Sequence, residues 1–342
     1  MIFLPPLALL LAALGTAWLA RPGNPLSAIA LPDARSLHAR ATPSGGGLAV
    51  VGALLLADLL LRWVVPTGES ASGLLPHPNL LAALFLIAGV SWADDRRPLA
   101  PGLRLLVHAG AAFLLLESDL TITEGALGQA ATFFLVIWSI NLFNFMDGMD
   151  GLAGSMAVIG FAALAALGLA AGADDYALAA LIVTGAFAGF LAWNFPPARI
   201  FLGDVGSAPL GLLAATFSLW GVREHVFSAP VPLLIFAPFW IDATFTLFRR
   251  LFRREKVWQA HCTHAYQRLV RAGWSHRRTT LSESALMLAC AVAAMAYEGA
   301  GAGARTGILA GATAVFFLSW LLVRRVERAA EERKSPCAAS QH

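Results

Sequence analysis

The sequence predicts an all-α integral membrane protein: a single domain built as a polytopic bundle of about 11 transmembrane helices. Three observations carry this. Of 342 residues, 58% are hydrophobic and only 13% charged, with mean hydropathy +0.69, far outside the balance of a soluble domain. Apolar stretches of roughly bilayer-crossing length recur along the whole chain. Finally, 21 of the 24 Lys and Arg fall in alternate connecting segments, as a membrane sorts them. The net charge of +3 is thus a matter of topology, and no basic groove for nucleic acid is expected.

In order, the apolar spans lie near 2–20, 45–65, 79–93, 102–117, 126–145, 152–171, 176–193, 206–221, 229–248, 284–298 and 306–323. The first resembles a secretory signal, but no Lys or Arg precedes Arg21, so the basic leader of a signal peptide is missing and a true span is expected. The segments after spans 1, 3, 5, 7, 9 and 11 hold 3, 3, 0, 1, 9 and 5 Lys and Arg, whereas the opposite side holds only Arg62, Arg223 and Arg305. Cytoplasmic loops hold the excess. The N-terminus is therefore expected outside and the C-terminus inside, with residues 1–323 as the transmembrane domain and 324–342 as a basic, then polar, disordered cytoplasmic tail. Cys262, Cys290 and Cys337 lie in a loop, a span and the tail, which suggests no disulfide framework.

Span 5 ends in N-L-F-N-F-M-D-G-M-D-G, residues 141–151, which sets Asn141, Asn144, Asp147 and Asp150 at spacings of three where an apolar helix runs out into glycine. Ionisable and amide groups at membrane depth are costly to hold, and by default mark a functional site. Asp94 and Asp95 follow span 3, Asp204 lies between Gly203 and Gly206 after span 7, and His261 and His264 lie in the loop after span 9. All of them fall on the same, cytoplasmic, side. Clustered carboxylates with amides are hard oxygen ligands suited to Mg²⁺, which takes one or two protein carboxylates and leaves positions for substrate phosphates. Glycines flanking Asp147, Asp150 and Asp204 let backbone amides approach those phosphates, and helix N-termini favour them. The histidines and arginines of the later loop add cationic donors for a pyrophosphate. The chemistry expected is metal-assisted phosphoryl transfer at a membrane surface.

Plainer roles compete at each position. Asp94 and Asp95 could pair with Arg96 and Arg97 in a solvated loop, Asp204 could simply cap the next helix, and His261 and His264 could sit in an ordinary interfacial loop. Zinc is disfavoured because no further Cys or His stands nearby at ligand spacing.

Four segments carry a resemblance: S-W-A-D-D-R-R at 91–97, N-L-F-N-F-M-D-G-M-D-G-L at 141–152, W-N-F-P-P-A-R-I-F-L-G-D-V-G-S at 193–207 and H-C-T-H-A-Y-Q-R-L at 261–269. In kind and order they resemble the polyprenyl-phosphate N-acetylhexosamine-1-phosphate transferases, a superfamily that includes phospho-MurNAc-pentapeptide translocase. The resemblance implies a multi-pass enzyme of the bacterial inner membrane with its active site on the cytoplasmic face. It would move a sugar 1-phosphate from a UDP-N-acetylhexosamine to undecaprenyl phosphate, releasing UMP, with Mg²⁺ as cofactor and Mn²⁺ as its substitute. It further implies Asp204 as metal ligand with Asn144 as a second contact, and Asn194, Phe201, Asp147, Gly148 and Asp150 around the nucleotide, Phe201 by stacking on uracil; Asn141 is a further substrate-binding candidate from the same cluster. Asp94, with Asp95 beside it, would act on the acceptor phosphate, and His261 and His264 would lie near the diphosphate and sugar.

The pattern departs in two places. Pro98 stands where the family often has a third charged residue after the aspartate pair, and Ala30 replaces an aspartate ahead of Pro32, Arg35, Ser36 and His38, with Asp33 the nearest acid left. The H-x-x-H-A-Y-Q form is more like the branch that initiates O-antigen or related glycans than the translocase branch. The lead donor is therefore a UDP-N-acetylhexosamine, deoxy sugars such as FucNAc or QuiNAc included, and UDP-MurNAc-pentapeptide is the runner-up. A secondary transporter is the rival from another class, but its charges would lie near the bilayer midplane on interrupted helices in related halves. Here the acids lie at span ends on one side. Dimerisation and direct versus two-step transfer stay open.

Overall fold

The computed structural model describes residues 1–32, 36–64, 73–75, 77–255 and 262–334. The helices are α1 (Leu4–Leu19), α2 (Gly47–Val64), α3 (Pro78–Arg96), α4 (Pro101–Leu116), α5 (Gly125–Phe145), α6 (Leu152–Ala170), α7 (Asp174–Asn194), α8 (Asp204–Arg223), α9 (Pro230–Ile235), α10 (Ala237–Phe252), α11 (Ala265–Arg271), α12 (His276–Glu298) and α13 (Ala302–Lys334). Among them α5, α6, α7, α8, α12 and α13, six in all, are long and apolar enough to cross a membrane, which makes this a multi-pass membrane protein.

The core is built on α6, α7 and α8, whose apolar residues are buried nearly all round. Small residues permit the close helix approach that membrane bundles rely on. A methyl on Gly185 or Gly189 of α7 would overlap the α1 backbone at Pro5 or Leu9, and one on Gly47 of α2 would overlap Gly206 of α8. The second contact draws the first turns of α2 and α8 together, at the end of the bundle where α3, α5 and α7 finish and α4 and α6 begin.

The structure agrees with the all-α expectation but for one small sheet, and corrects three others. β1 (Ala28–Ala30) pairs antiparallel with β2 (Thr42–Ser44), in register Ala28 to Ser44, and Ser44 makes a parallel bridge to Phe201. This ladder brings the loop after α1 against the Phe201 turn. The span near 229–248 is two helices, α9 and α10, broken at Phe236, and Pro238 falls in the first turn of α10 where its missing N–H costs nothing. The loop after it contains a helix, α11, that hydropathy alone does not reveal. Lastly, α13 runs on through 324–334, part of the stretch expected to be a disordered tail. The sequence there alternates acidic and basic helix formers, and Glu327 pairs with Arg268 of α11.

Candidate active site

Four helix ends supply one acidic cluster. At the end of α3, Asp95 accepts the backbone N–H groups of Asp204 and Val205, each at 3.0 Å, and so caps α8 across 109 positions of sequence. The plain alternative, that Asp204 caps its own helix, is therefore not what the chain does. Gly203 precedes the cap at φ 76°, and a Cβ there would sit 2.8 Å from Asp95 Oδ2, so the turn requires glycine on two counts. Asp204 is left with its carboxylate directed to Asn144 at the end of α5 and to Arg104 in the first turn of α4, whose Nη1 lies 3.7 Å from Asp204 Oδ2. Asp94 is held by the same guanidinium at 2.8 Å and by the Leu99 N–H at 2.6 Å. It does not pair with Arg96 or Arg97; Arg96 instead stacks on Trp92 and donates to the Pro25 carbonyl.

Asp147, in the turn after α5, completes the group. Burial, then the like charges of Asp204 and Asp95, push its carboxyl well above the usual carboxylate range. Beside it Gly148 has no room for a side chain, because the Tyr266 hydroxyl of α11 occupies that space while donating to the Phe145 carbonyl at 3.3 Å.

The remaining candidates brace the site. Asn194 is buried and spends both ends of its amide, accepting from the Gly151 N–H and donating to the Ile200 carbonyl, each at 2.9 Å, so it staples the 147–151 turn to the 196–203 turn. Asp150 accepts from the Ala198 N–H at 3.0 Å and faces His276 Nδ1 at 3.2 Å. Burial alone would raise its carboxyl, but the His276 and Ala198 contacts hold it below the ordinary range. Asn141 donates to the Ile137 carbonyl at 2.7 Å and lies 3.2 Å from His108 of α4. His264 caps α11, with Asp242 of α10 3.7 Å from its Nδ1, and its ring stacks on Tyr266. Phe201 meets His38 edge to face at 4.9 Å. His261 and Asp33 lie outside the described residues.

Thus Asp94, Asp95, Asp147, Asp204 and Asn144 share one site, whereas Asn141, Asp150, Asn194 and His264 are committed to neighbouring protein groups. Arg104, Tyr266, His276 and Asp242 escaped the sequence reading. Arg104 and Asp242 offered a signal, as charged residues inside the apolar spans 102–117 and 229–248.

Among the described residues, no three acidic or histidine side chains gather as a preformed metal cage. Mg²⁺ needs less, one or two carboxylates with the rest from water and phosphate. Asp204 hydrogen-bonded to Asn144, amid the like charges of Asp94, Asp95 and Asp147, has the ligand chemistry and uncompensated charge that suit such an ion.

The profile of glycosyl transferase family 4 matches residues 77–222, α3 through α8. The chain is 31% identical over 274 residues to a probable undecaprenyl-phosphate N-acetylglucosaminyl 1-phosphate transferase of Bacillus subtilis (strain 168), covering 75% of this chain and 73% of the relative. It is 32% identical over 301 residues to the decaprenyl-phosphate N-acetylglucosaminephosphotransferase of Mycobacterium tuberculosis (strain ATCC 25618 / H37Rv), covering 75% and 72%. To the phospho-N-acetylmuramoyl-pentapeptide-transferase of Synechococcus elongatus it is 32% identical over 212 residues, covering 54% of each.

Proposed function

The chain belongs to glycosyl transferase family 4, and on that footing we propose that it transfers N-acetylhexosamine 1-phosphate from a UDP-sugar to a polyprenyl phosphate, with UMP as the second product. The observation that carries this is the gathering of Asp94, Asp95, Asp147, Asp204 and Asn144 at one end of the bundle, where Arg104 bonds to Asp94 and faces Asp204. We place that end on the cytoplasmic side of an eleven-span topology, because the Lys and Arg excess lies there.

In the reaction, an oxygen of the acceptor phosphate attacks the β-phosphorus of the donor, the bond from that phosphorus to the bridging oxygen breaks, and UMP leaves. A phosphate monoester has a second pKa near 6, so at neutral pH the acceptor is already mostly a dianion and needs little help from a base. Direct attack, without a covalent enzyme intermediate, is therefore favoured. Mg²⁺, held by Asp204 with Asn144, would supply charge stabilisation on the donor diphosphate when bound. Arg104 is the cation that faces both Asp94 and Asp204, so its role is to hold the acceptor phosphate between them. Asp95 fixes the α8 N-terminus, and Asp147, whose carboxyl burial and the neighbouring acids hold well above the usual range, borders the place where a cation would be held. Phe201, anchored through its backbone to Pro43, Gly45 and Gly46, offers an aromatic face to the uracil.

Relatives named for N-acetylglucosamine cover three quarters of the chain, against about half for the muramoyl-pentapeptide relative, which favours UDP-GlcNAc over UDP-MurNAc-pentapeptide. Initiation of an O-antigen-like glycan is the pathway role we assign. The test is a donor panel: purified protein, undecaprenyl phosphate and each radiolabelled UDP-sugar, scored for lipid-extractable label. Preference for UDP-MurNAc-pentapeptide would overturn the donor assignment, and no lipid product from any donor would overturn the function.

A further inference from the structure

Away from the acidic cluster, the charged ends of α10, α11 and α13 enclose a second polar site. Arg249, Arg253, Arg268, Arg271 and Arg324 border one open cavity of about 640 Å³, and among the described residues Glu327 and Glu331 are the only acids on its lining. Glu327 is engaged by Arg268, its Oε1 2.6 Å from Nε, while Arg268 and Arg253 act on Arg249 as like charges. Five guanidinium groups against two carboxylates is an arrangement that a bound anion relieves, and guanidinium forks match phosphate oxygens.

The cavity does not end at its polar wall. An apolar groove of about 730 Å³ between α10, α12 and α13 shares Phe245, Arg268 and Trp320 with it. Trp320 sits at the junction with the Arg324 guanidinium over its ring, the position an aromatic residue takes where hydrocarbon meets headgroups. Asp242 and Glu283 on the groove wall disfavour an anion there, so the phosphate end belongs among the arginines and the apolar end in the groove.

The occupant is an anionic amphiphile, and α11 decides which. Its Tyr266 reaches Phe145 and Gly148, whereas its Arg268 and Arg271 line the cavity on the α13 side. The cavity therefore lies across α11 from the carboxylates, and a phosphate held in it is not placed to react. We propose that the cavity and groove bind an anionic glycerophospholipid of the surrounding bilayer, which clamps α11, and with it Tyr266 and His264, against the bundle.

The test is direct and independent of catalysis. Purified full-length protein in neutral detergent is titrated separately with phosphatidylglycerol and phosphatidylcholine, and retained lipid is counted by native mass spectrometry. Wild type is expected to retain phosphatidylglycerol in preference. The double variant Arg253→Gln/Arg324→Gln, both exposed positions, should weaken retention by about tenfold or more, from the attraction each arginine exerts at an anionic surface. Arg277→Gln, an exposed arginine outside the cavity, should leave it unchanged. Equal retention of the two lipids by wild type would overturn the proposal, as would displacement of the phosphatidylglycerol by undecaprenyl phosphate, which would make this the acceptor site. If the donor panel fails while selective retention holds, the lipid site stands without the transferase reading.

Discussion

Replacing Asp95 by alanine separates architecture from chemistry at the acidic cluster. Its carboxylate accepts two backbone N–H groups at 3.0 Å in the first turn of α8. Hydrogen bonds to a charged acceptor contribute about 1.5–3 kcal/mol each. The full sum overstates the loss, because the variant also relieves repulsion between Asp95 and Asp204 and lets water reach the half-exposed turn. Loss of an N-cap alone costs about 0.5–2 kcal/mol. Between these bounds Asp95→Ala should cost about 2–3 kcal/mol and release Asp204 from its position, so both heat stability and turnover fall. Asp95→Asn keeps one acceptor oxygen and should lose about half as much stability. By contrast Asp204→Asn keeps both backbone bonds, and should lose activity with no loss of stability. The assay follows unfolding in detergent by reaction of Cys290, buried in α12, with a thiol dye as temperature rises. An Asp95→Ala protein that is inactive yet melts with the wild type would refute the capping role and return Asp95 to direct chemistry.

Three further outcomes follow from the same geometry. Turnover should require Mg²⁺ or Mn²⁺ and nearly vanish in Asp204→Asn, since the charge stabilisation lost is several kcal/mol; full activity in excess chelator would contradict it. Phe201→Ala should raise the donor Michaelis constant by an amount corresponding to roughly 1–3 kcal/mol while leaving turnover at saturating donor, so an unchanged constant in folded protein counts against uracil stacking. Because the folded state raises the Asp147 pKa, the stability this group contributes is complete below the unfolded carboxylate pKa and is lost as pH rises through the raised folded value. Heat stability in chelator should therefore decline as pH climbs above the ordinary carboxylate range, and Asp147→Asn should flatten that decline; an equal slope in the variant would dismiss Asp147 as its source.

Much of the site was legible because its chemistry is expensive in a membrane. Asp94, Asp147 and Asp204 each interrupt apolar sequence beside a helix end, and no packing argument excuses them. Partners across the chain were not legible. Asp150 and Asn194 have the residue types of a substrate pocket, and only the fold shows that they also tie turns together, Asp150 through Ala198 and His276 and Asn194 through Gly151 and Ile200. Arg104 stood out as a charge inside an apolar span, but neither that nor a count for topology says that its guanidinium reaches Asp94. The break at Phe236 was hidden by averaging. Pro230, Pro232 and Pro238 lie within one hydropathy peak, which reads the same whether the helix is continuous or split.

The central claim is that sugar and phosphate move together to the lipid, and a donor labelled in the β-phosphate tests it most directly. With UDP-GlcNAc carrying ³²P at that position, purified protein and undecaprenyl phosphate, the label should enter the lipid extract in step with release of unlabelled UMP. Label that stays in the aqueous phase as UDP while sugar reaches the lipid would contradict it, because the enzyme would then transfer the sugar alone.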